Sequence, residues 1–247
     1  MTKKQIFQQI KGKLIVSCQA LENEPLHGSE VMAKMAKAAY IGGASGIRAN
    51  GLDDIKAIRQ AVVLPIIGLV KRDYPDSEVY ITATKKEVDE LIEAGVDIIA
   101  LDATSRTRPN SETLETLVAY IKANNILVMA DISTFEEGKC AAELGVDCVS
   151  TTMSGYTAYS PQKQEPDFYL LKKLVKELSI PVFAEGRIST PEEAKRALEI
   201  GAFAVVVGSA ITRPQEITKS FAKVFEKEVA GYDGSANGVK EQVRRIN

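Results

Sequence analysis

Gln19, Lys71, Asp131 and Glu185 each close a short run of apolar and β-branched residues: Ser17-Cys18-Gln19, Leu69-Val70-Lys71, Met129-Ala130-Asp131 and Phe183-Ala184-Glu185. A lysine, two carboxylates and an amide gathered in one cavity can move protons. The lysine amine ordinarily titrates near about 10.4, and burial lowers it towards the range of about 7 to 8 that suits a general base, while Glu185 and a bound anion pull it back up. The same amine can instead attack a carbonyl and form a Schiff base. A self-satisfied structural network is the plainer reading, but buried ion networks rarely gain stability over apolar packing, so function is preferred. Arg48, in Gly46-Ile47-Arg48-Ala49-Asn50-Gly51, is expected on the rim, where a solvated arginine is nearly as good a reading. Asp102 belongs either to the site or to the cap of the helix that follows it.

Two further segments have the composition of a phosphate cradle. They are Glu185-Gly186-Arg187-Ile188-Ser189 and Val207-Gly208-Ser209-Ala210-Ile211-Thr212-Arg213. Gly186 and Gly208 permit close backbone approach, Ser209 can donate a hydrogen bond, and Arg187 or Arg213 can supply charge. Other chemistries find little support. The sole histidine, His27, reads as a loop residue, and without His or Cys clusters no metal site is expected. Cys18, Cys140 and Cys148 form no paired pattern and are expected as buried thiols, which fits a reducing cytoplasm. Neither a GxGxxG motif nor a Ser-His-Asp system can be found.

Positioning these residues falls to eight β-rich runs: 13–20, 45–49, 64–71, 97–103, 127–132, 148–152, 181–187 and 204–209. Helical patterns such as 29–40, 85–94, 112–123 and 191–200 alternate with them, as in a parallel sheet wrapped by crossover helices. Thr84 with Glu87, Thr134 with Glu137 and Thr190 with Glu193 have capping-box spacing, and Pro191 suits a first helical position. Gly42 or Gly43, Gly95, Gly145 and Gly201 sit where helices end before strands two, four, six and eight; Pro65 and Pro181 lead into strands three and seven. This alternation of odd and even strands favours a closed, single-domain α/β (β/α)8 TIM barrel over an open doubly wound sheet. The barrel is expected over 1–230, with 231–247 as a Gly-, Ser- and Asn-rich tail or cap. In it the odd strands place Gln19, Lys71, Asp131 and Glu185 in one layer at the mouth, above Ser17, Leu69, Met129 and Phe183. The long segments 72–82 and 153–166 are expected to cover that mouth as lids. The 31 basic and 33 acidic residues nearly cancel, so neither nucleic acid nor a membrane surface is an expected partner. The apolar run 14–16 is too short for a signal peptide or membrane span.

Taken together, Ser17-Cys18-Gln19-Ala20, Gly46-Ile47-Arg48-Ala49-Asn50, Gly68-Leu69-Val70-Lys71-Arg72, Ala130-Asp131-Ile132-Ser133-Thr134, Thr151-Thr152-Met153-Ser154-Gly155-Tyr156-Thr157 and Ala184-Glu185-Gly186-Arg187 resemble the motifs of N-acetylmannosamine-6-phosphate 2-epimerases. The likeness runs from strand one to Arg213. It implies an enzyme of sialic acid catabolism that interconverts N-acetylmannosamine 6-phosphate and N-acetylglucosamine 6-phosphate through a C2 enolate, without a metal or redox cofactor. By resemblance Lys71 and Glu185 are the catalytic pair; Gln19, Arg48, Asp131 and Arg213 contact the sugar; and backbone around Gly186 and Gly208 holds the phosphate. Residue patterning alone leaves open a Schiff-base aldolase using Lys71 or a non-catalytic phosphosugar-binding protein. It also leaves open a homodimer, and one-base or two-base proton transfer.

Overall fold

Every strand of the computed structural model, which describes residues 1–229, is entered through a residue suited to a sharp turn. Left-handed Gly43, Gly95, Gly145 and Gly201 precede the even strands, with φ between 73° and 113°. Pro65 and Pro181 precede strands three and seven, whereas Gly12 and Asn125, at φ 69° and 59°, do the same for strands one and five. The strands are β1 (Leu14–Cys18), β2 (Gly46–Asn50), β3 (Ile66–Leu69), β4 (Ile98–Asp102), β5 (Leu127–Asp131), β6 (Cys148–Ser150), β7 (Val182–Glu185) and β8 (Ala204–Val207). All pair in parallel and in sequence order. The register Leu14↔Val205, Ile15↔Val206 and Val16↔Val207 joins β1 to β8, so the sheet is a closed (β/α)8 barrel and the open-sheet alternative is ruled out.

The helices are α1 (Lys3–Ile10), α2 (Ser29–Ile41), α3 (Leu52–Ala61), α4 (Lys85–Ala94), α5 (Leu114–Ala123), α6 (Phe135–Glu143), α7 (Phe168–Glu177), α8 (Pro191–Ile200), α9 (Ser209–Thr212) and α10 (Pro214–Val229). Complete capping boxes start α4, α6 and α8 from Thr84, Thr134 and Thr190, with Pro191 in the first turn of α8. Helix α5 starts two residues later than its periodicity suggests, because a 3-10 turn over Pro109–Ser111 precedes a cap at Thr113.

Apolar residues form two concentric layers. Outward-facing residues of the strands pack on the helices, and Gly68 is needed there: a Cβ on it would lie 2.4 Å from Val96 and 2.9 Å from Leu91. The inner layer includes Leu69, Met129 and Phe183, as the alternation along the odd strands requires. Its lower end is closed by α1, which inserts Ile6 and Ile10 and sets Phe7 edge-on to Phe203. The sequence signal for this plug was the box formed by Thr2 and Gln5.

Among the thiols, Cys18 and Cys148 are buried, but Cys140 is exposed on α6, contrary to the expectation from its apolar neighbours. That stretch presents only one stripe to the core, and Cys140 falls outside it. The expected tail, 231–247, lies outside the described residues. Among those described, no helix is long and apolar enough to cross a membrane.

Candidate active site

The C-terminal ends of the strands open into a cavity of about 780 Å³ lined by Gln19, Arg48, Lys71, Glu185, Gly208 and Arg213. Lys71 is fixed from two sides. Its backbone N–H donates to Asn50 Oδ1 at 2.8 Å, and an antiparallel bridge pairs it with Ile81. Among the described residues its amine takes no part in the ion pairs around the cavity. Burial, helped by the Arg48 and Arg213 cations, pulls the amine down to about 8, against the opposing charges of Glu185 and Glu24. At pH 7 about a tenth of the amine is thus the free base, far more than an unperturbed lysine would supply.

Arg48 does not stand on the rim. The pairing of Ser17 with Arg48, and of Arg48 with Ile67, sets it one layer below the mouth, and its side chain is 1% exposed. There it donates to Asp131 through Nη1 at 3.1 Å and Nη2 at 2.5 Å, and Nη1 lies 3.0 Å from Glu185 Oε2. Asp131 accordingly lies beneath the cavity surface rather than in its lining. Thr152 Oγ1 is 2.8 Å from Asp131 Oδ1 and 3.1 Å from Glu185 Oε2, and its one proton serves only one of them at a time. One guanidinium therefore faces two carboxylates, and Asp131 takes the bidentate share. Burial raises the Glu185 pKa; Arg48 opposes this, but the Asp131 charge adds to it. The direction is upward because burial outweighs the arginine's attraction, which the second carboxylate partly offsets. Lys71 and Glu185 are thus displaced towards each other, as suits a base and a proton carrier working at one pH.

Two buried polar atoms lack a partner among the described residues: Gln19 Oε1 and Arg48 Nε. Both side chains line the cavity, although the two unpartnered atoms are themselves shut off from solvent. The Gln19 amide is oriented by its Nε2, which donates to Ser17 Oγ at 2.7 Å.

The loops after β7 and β8 form the polar end of the cavity. Gly186, at φ 104°, permits a backbone path that a side chain would strain, and Gly208 precedes the one-turn α9, which Thr212 anchors to the Ser17 carbonyl at 2.8 Å. Arg213 donates to Ser209 Oγ at 3.1 Å and is held by Glu24 through bonds of 2.8 and 2.6 Å. Arg187 behaves differently. Its backbone is left-handed at φ 58°, and its guanidinium donates to the Ser154 and Glu165 carbonyls at 2.7 and 3.1 Å beneath Tyr156. That charge ties down the loop after β6, whereas Arg213 is held by Glu24 beside Ser209, and both arginines line the cavity. Asp102 is buried under Thr104 and Arg106 and caps a turn rather than a helix. His27 is exposed in the loop after β1.

Sequence reading assigned no role to Asn50, Thr152, Glu24 or Tyr80. Asn50 and Thr152 sit inside the motifs quoted above, whereas Glu24 meets Arg213 across most of the chain and leaves no local signal. Both long segments reach the cavity, 72–82 through Tyr80 and Ile81, and 153–166 through Met153 and Tyr156.

A family model, NanE, described as "Putative N-acetylmannosamine-6-phosphate epimerase", matches residues 32–227. Two relatives are both called "Putative N-acetylmannosamine-6-phosphate 2-epimerase". That of Clostridioides difficile strain 630 is 58% identical over 221 residues, covering 90% of this chain and 99% of its own. That of Clostridium perfringens strain SM101 is 59% identical over 217 residues, covering 88% and 98%. A solved structure of the N-acetylmannosamine-6-phosphate 2-epimerase from Clostridium perfringens superposes with a TM-score of 0.87 at 58% identity, over 88% of this chain and 95% of that one. Thiamine phosphate pyrophosphorylase from Pyrococcus furiosus, 20% identical with a TM-score of 0.56 over 89% and 98% of the two chains, shares the fold.

Proposed function

The chain belongs to the NanE family of N-acetylmannosamine-6-phosphate epimerases, and on that premise we propose that it interconverts N-acetylmannosamine 6-phosphate and N-acetylglucosamine 6-phosphate with Lys71 and Glu185 as the catalytic pair. The observation that carries the assignment is a lysine amine lowered to about 8 in the same cavity as a carboxyl raised by burial. The phosphate sits on backbone N–H groups around Gly186 and Gly208, with Ser209 and Arg213 beside it. The Gln19 amide hydrogen-bonds a sugar hydroxyl, and Asp131 acts through Arg48.

Epimerisation needs the ring open. Glu185 takes the proton from O1 and returns one to the ring oxygen, freeing the aldehyde. Lys71 Nζ then removes the C2 proton, and the electron pair moves through C1 onto O1, where Arg48 stabilises the enolate. In the one-base reading the Lys71 ammonium returns a proton to the opposite face of C2 once the enolate has turned about the C2–C3 bond, which gives the epimer. Because β3 and β7 lie opposite each other in the closed barrel, a second reading is that Glu185 makes this delivery itself. Single turnover of C2-deuterated substrate in water separates the two: label retained in the epimer argues against two independent bases.

A Schiff-base aldolase would use the same lysine, but the paired carboxylates and arginine around it favour proton transfer. A cytoplasmic location suits the unpaired Cys18, Cys140 and Cys148. A homodimer is supported by α10, which exposes Phe221, Val224 and Phe225. The test is NMR of the sugar phosphate with the protein in heavy water. C2 exchange together with appearance of the epimer is expected; binding without exchange would leave a sensor, and borohydride inactivation with substrate would favour the aldolase.

A further inference from the structure

A carboxyl group that takes one proton and returns another within a turnover must be supported in both its ionised and its neutral form. Two residues that follow β6 bear on this. Strand β6 ends at Ser150, and its pairing with β7 stops at Ser150↔Phe183, short of Glu185. Thr151 continues the join with its side chain. Its Oγ1 donates to the Glu185 carbonyl at 2.8 Å and accepts from the Glu185 N–H at 3.0 Å, so the backbone beneath the carboxyl group is held from both directions. The turn that carries Thr151 and Thr152 is pinned in its own right by Met153, whose N–H donates to the Ile132 carbonyl at 3.1 Å.

Thr152 meets the carboxyl group itself. Two donors stand between the same pair of oxygens, Asp131 Oδ1 and Glu185 Oε2: Arg48 Nη1, at 3.1 and 3.0 Å, and Thr152 Oγ1, at 2.8 and 3.1 Å. They differ in what they can give. Nη1 carries two protons and serves both oxygens together, whereas the hydroxyl carries one and must choose. Ser150 Oγ, 2.8 Å from Thr152 Oγ1, adds a longer contact of 3.3 Å to Glu185 Oε2. All these contacts fall on Oε2. Among the described residues Oε1 has no hydrogen-bond partner, and Glu185 lines the cavity, so Oε1 is the oxygen left to exchange protons with the sugar.

Resting on the epimerase reading above, we infer that Thr152 is a positioning residue for Glu185, whose hydroxyl turns between the two carboxylates as Glu185 gains and loses its proton. While Glu185 is ionised, the hydroxyl donates to Oε2 and steadies its charge. When Oε1 takes the proton from the sugar O1, the charge leaves the group, Oε2 becomes a weaker acceptor, and the hydroxyl turns to Asp131 Oδ1. It turns back when Oε1 gives a proton to the ring oxygen. Proton count is preserved, because Thr152 keeps its own proton throughout, and both forms of Glu185 are accommodated without displacement of a heavy atom.

The inference is tested by measuring kcat and KM for epimerisation of N-acetylmannosamine 6-phosphate in variants of Thr152. Thr152→Val, which keeps the shape and removes the hydroxyl, should lower kcat about tenfold or more and leave KM little changed, because the lost bond acts on the transfer and not on the grip. Thr152→Ser, which keeps the hydroxyl and drops the methyl group, should stay close to the parent in both constants. Unaltered kcat in folded Thr152→Val would overturn the inference while sparing the epimerase reading. So would a raised KM with kcat unaltered, which would make Thr152 a sugar contact, or an equal loss of kcat in Thr152→Ser, which would trace the effect to packing of the methyl group. Should Thr152→Val not fold, Thr152→Ala, which only removes atoms, is read by the same two constants. Absence of epimerisation in the unaltered protein overturns the parent reading, and the role of Thr152 with it.

Discussion

Arg48 on β2 and Asp131 on β5 meet inside the barrel through two hydrogen bonds, at 3.1 and 2.5 Å, with both side chains shut off from solvent. The same guanidinium reaches Glu185 at 3.0 Å. Removing the arginine alone leaves two buried carboxylates without their cation, so Arg48→Met should cost about 3–5 kcal/mol of stability in urea titrations. Adding Asp131→Asn to it should return a large part of that loss, because the cost comes from stranded charge rather than from a missing contact. Equal stability for the single and double variants would contradict this.

Lys71 carries the opposite cost. Its amine releases its proton at about 8 in the folded protein and at 10.5 when unperturbed, so between these values the unfolded chain binds more protons and stability rises with pH. Below about 8 the folded protein bears the cost of a buried ammonium, on the order of 3 kcal/mol. Lys71→Met should therefore be more stable than the parent at pH 7, with the difference shrinking as pH rises towards 10.5. Chemical denaturation at neutral and alkaline pH checks this, and a variant less stable at pH 7 would contradict it.

Glu24 holds the Arg213 guanidinium through two bonds while Arg213 also reaches Ser209. Glu24→Gln should raise KM for the sugar phosphate by about tenfold and change kcat little, because it loosens a group that grips substrate and transition state alike. Glu24→Asp should recover part of the loss. A fall in kcat with KM unchanged would place Glu24 in the chemistry instead.

Arg187 binds two carbonyls of the loop after β6, and a Cβ on Gly155 would lie 2.5 Å from its guanidinium. Arg187→Ala should speed amide hydrogen exchange across 154–165 by at least about tenfold, as expected when a local anchor is lost. Unchanged protection there, with weaker affinity for inorganic phosphate, would return Arg187 to the phosphate site.

The barrel was legible because its signals are local and repeated. Thr84, Thr134 and Thr190 each form a complete box with the glutamate three residues on, and left-handed Gly43, Gly95, Gly145 and Gly201 mark the returns into the even strands. The alternation that sets Lys71 and Glu185 at the mouth needs only the ends of the odd strands. Arg48 was misplaced because parity along β2 shows that Ile47 and Arg48 face opposite ways, but not which of them faces inward. That is fixed by register with β1 and β3, which one strand does not encode. Glu24 and Tyr80 stayed hidden for a related reason: their partners, Arg213 and Met153, are brought close only by closure of the barrel and by its long loops.

Loss of C2 exchange on changing Lys71 is the most direct test of the proposed chemistry. Folded Lys71→Met, mixed with N-acetylmannosamine 6-phosphate in heavy water and followed by proton NMR, should bind the sugar phosphate yet leave the C2 hydrogen in place and form no epimer. Exchange at the parent rate would remove Lys71 from the reaction and leave Glu185 or another group as the base.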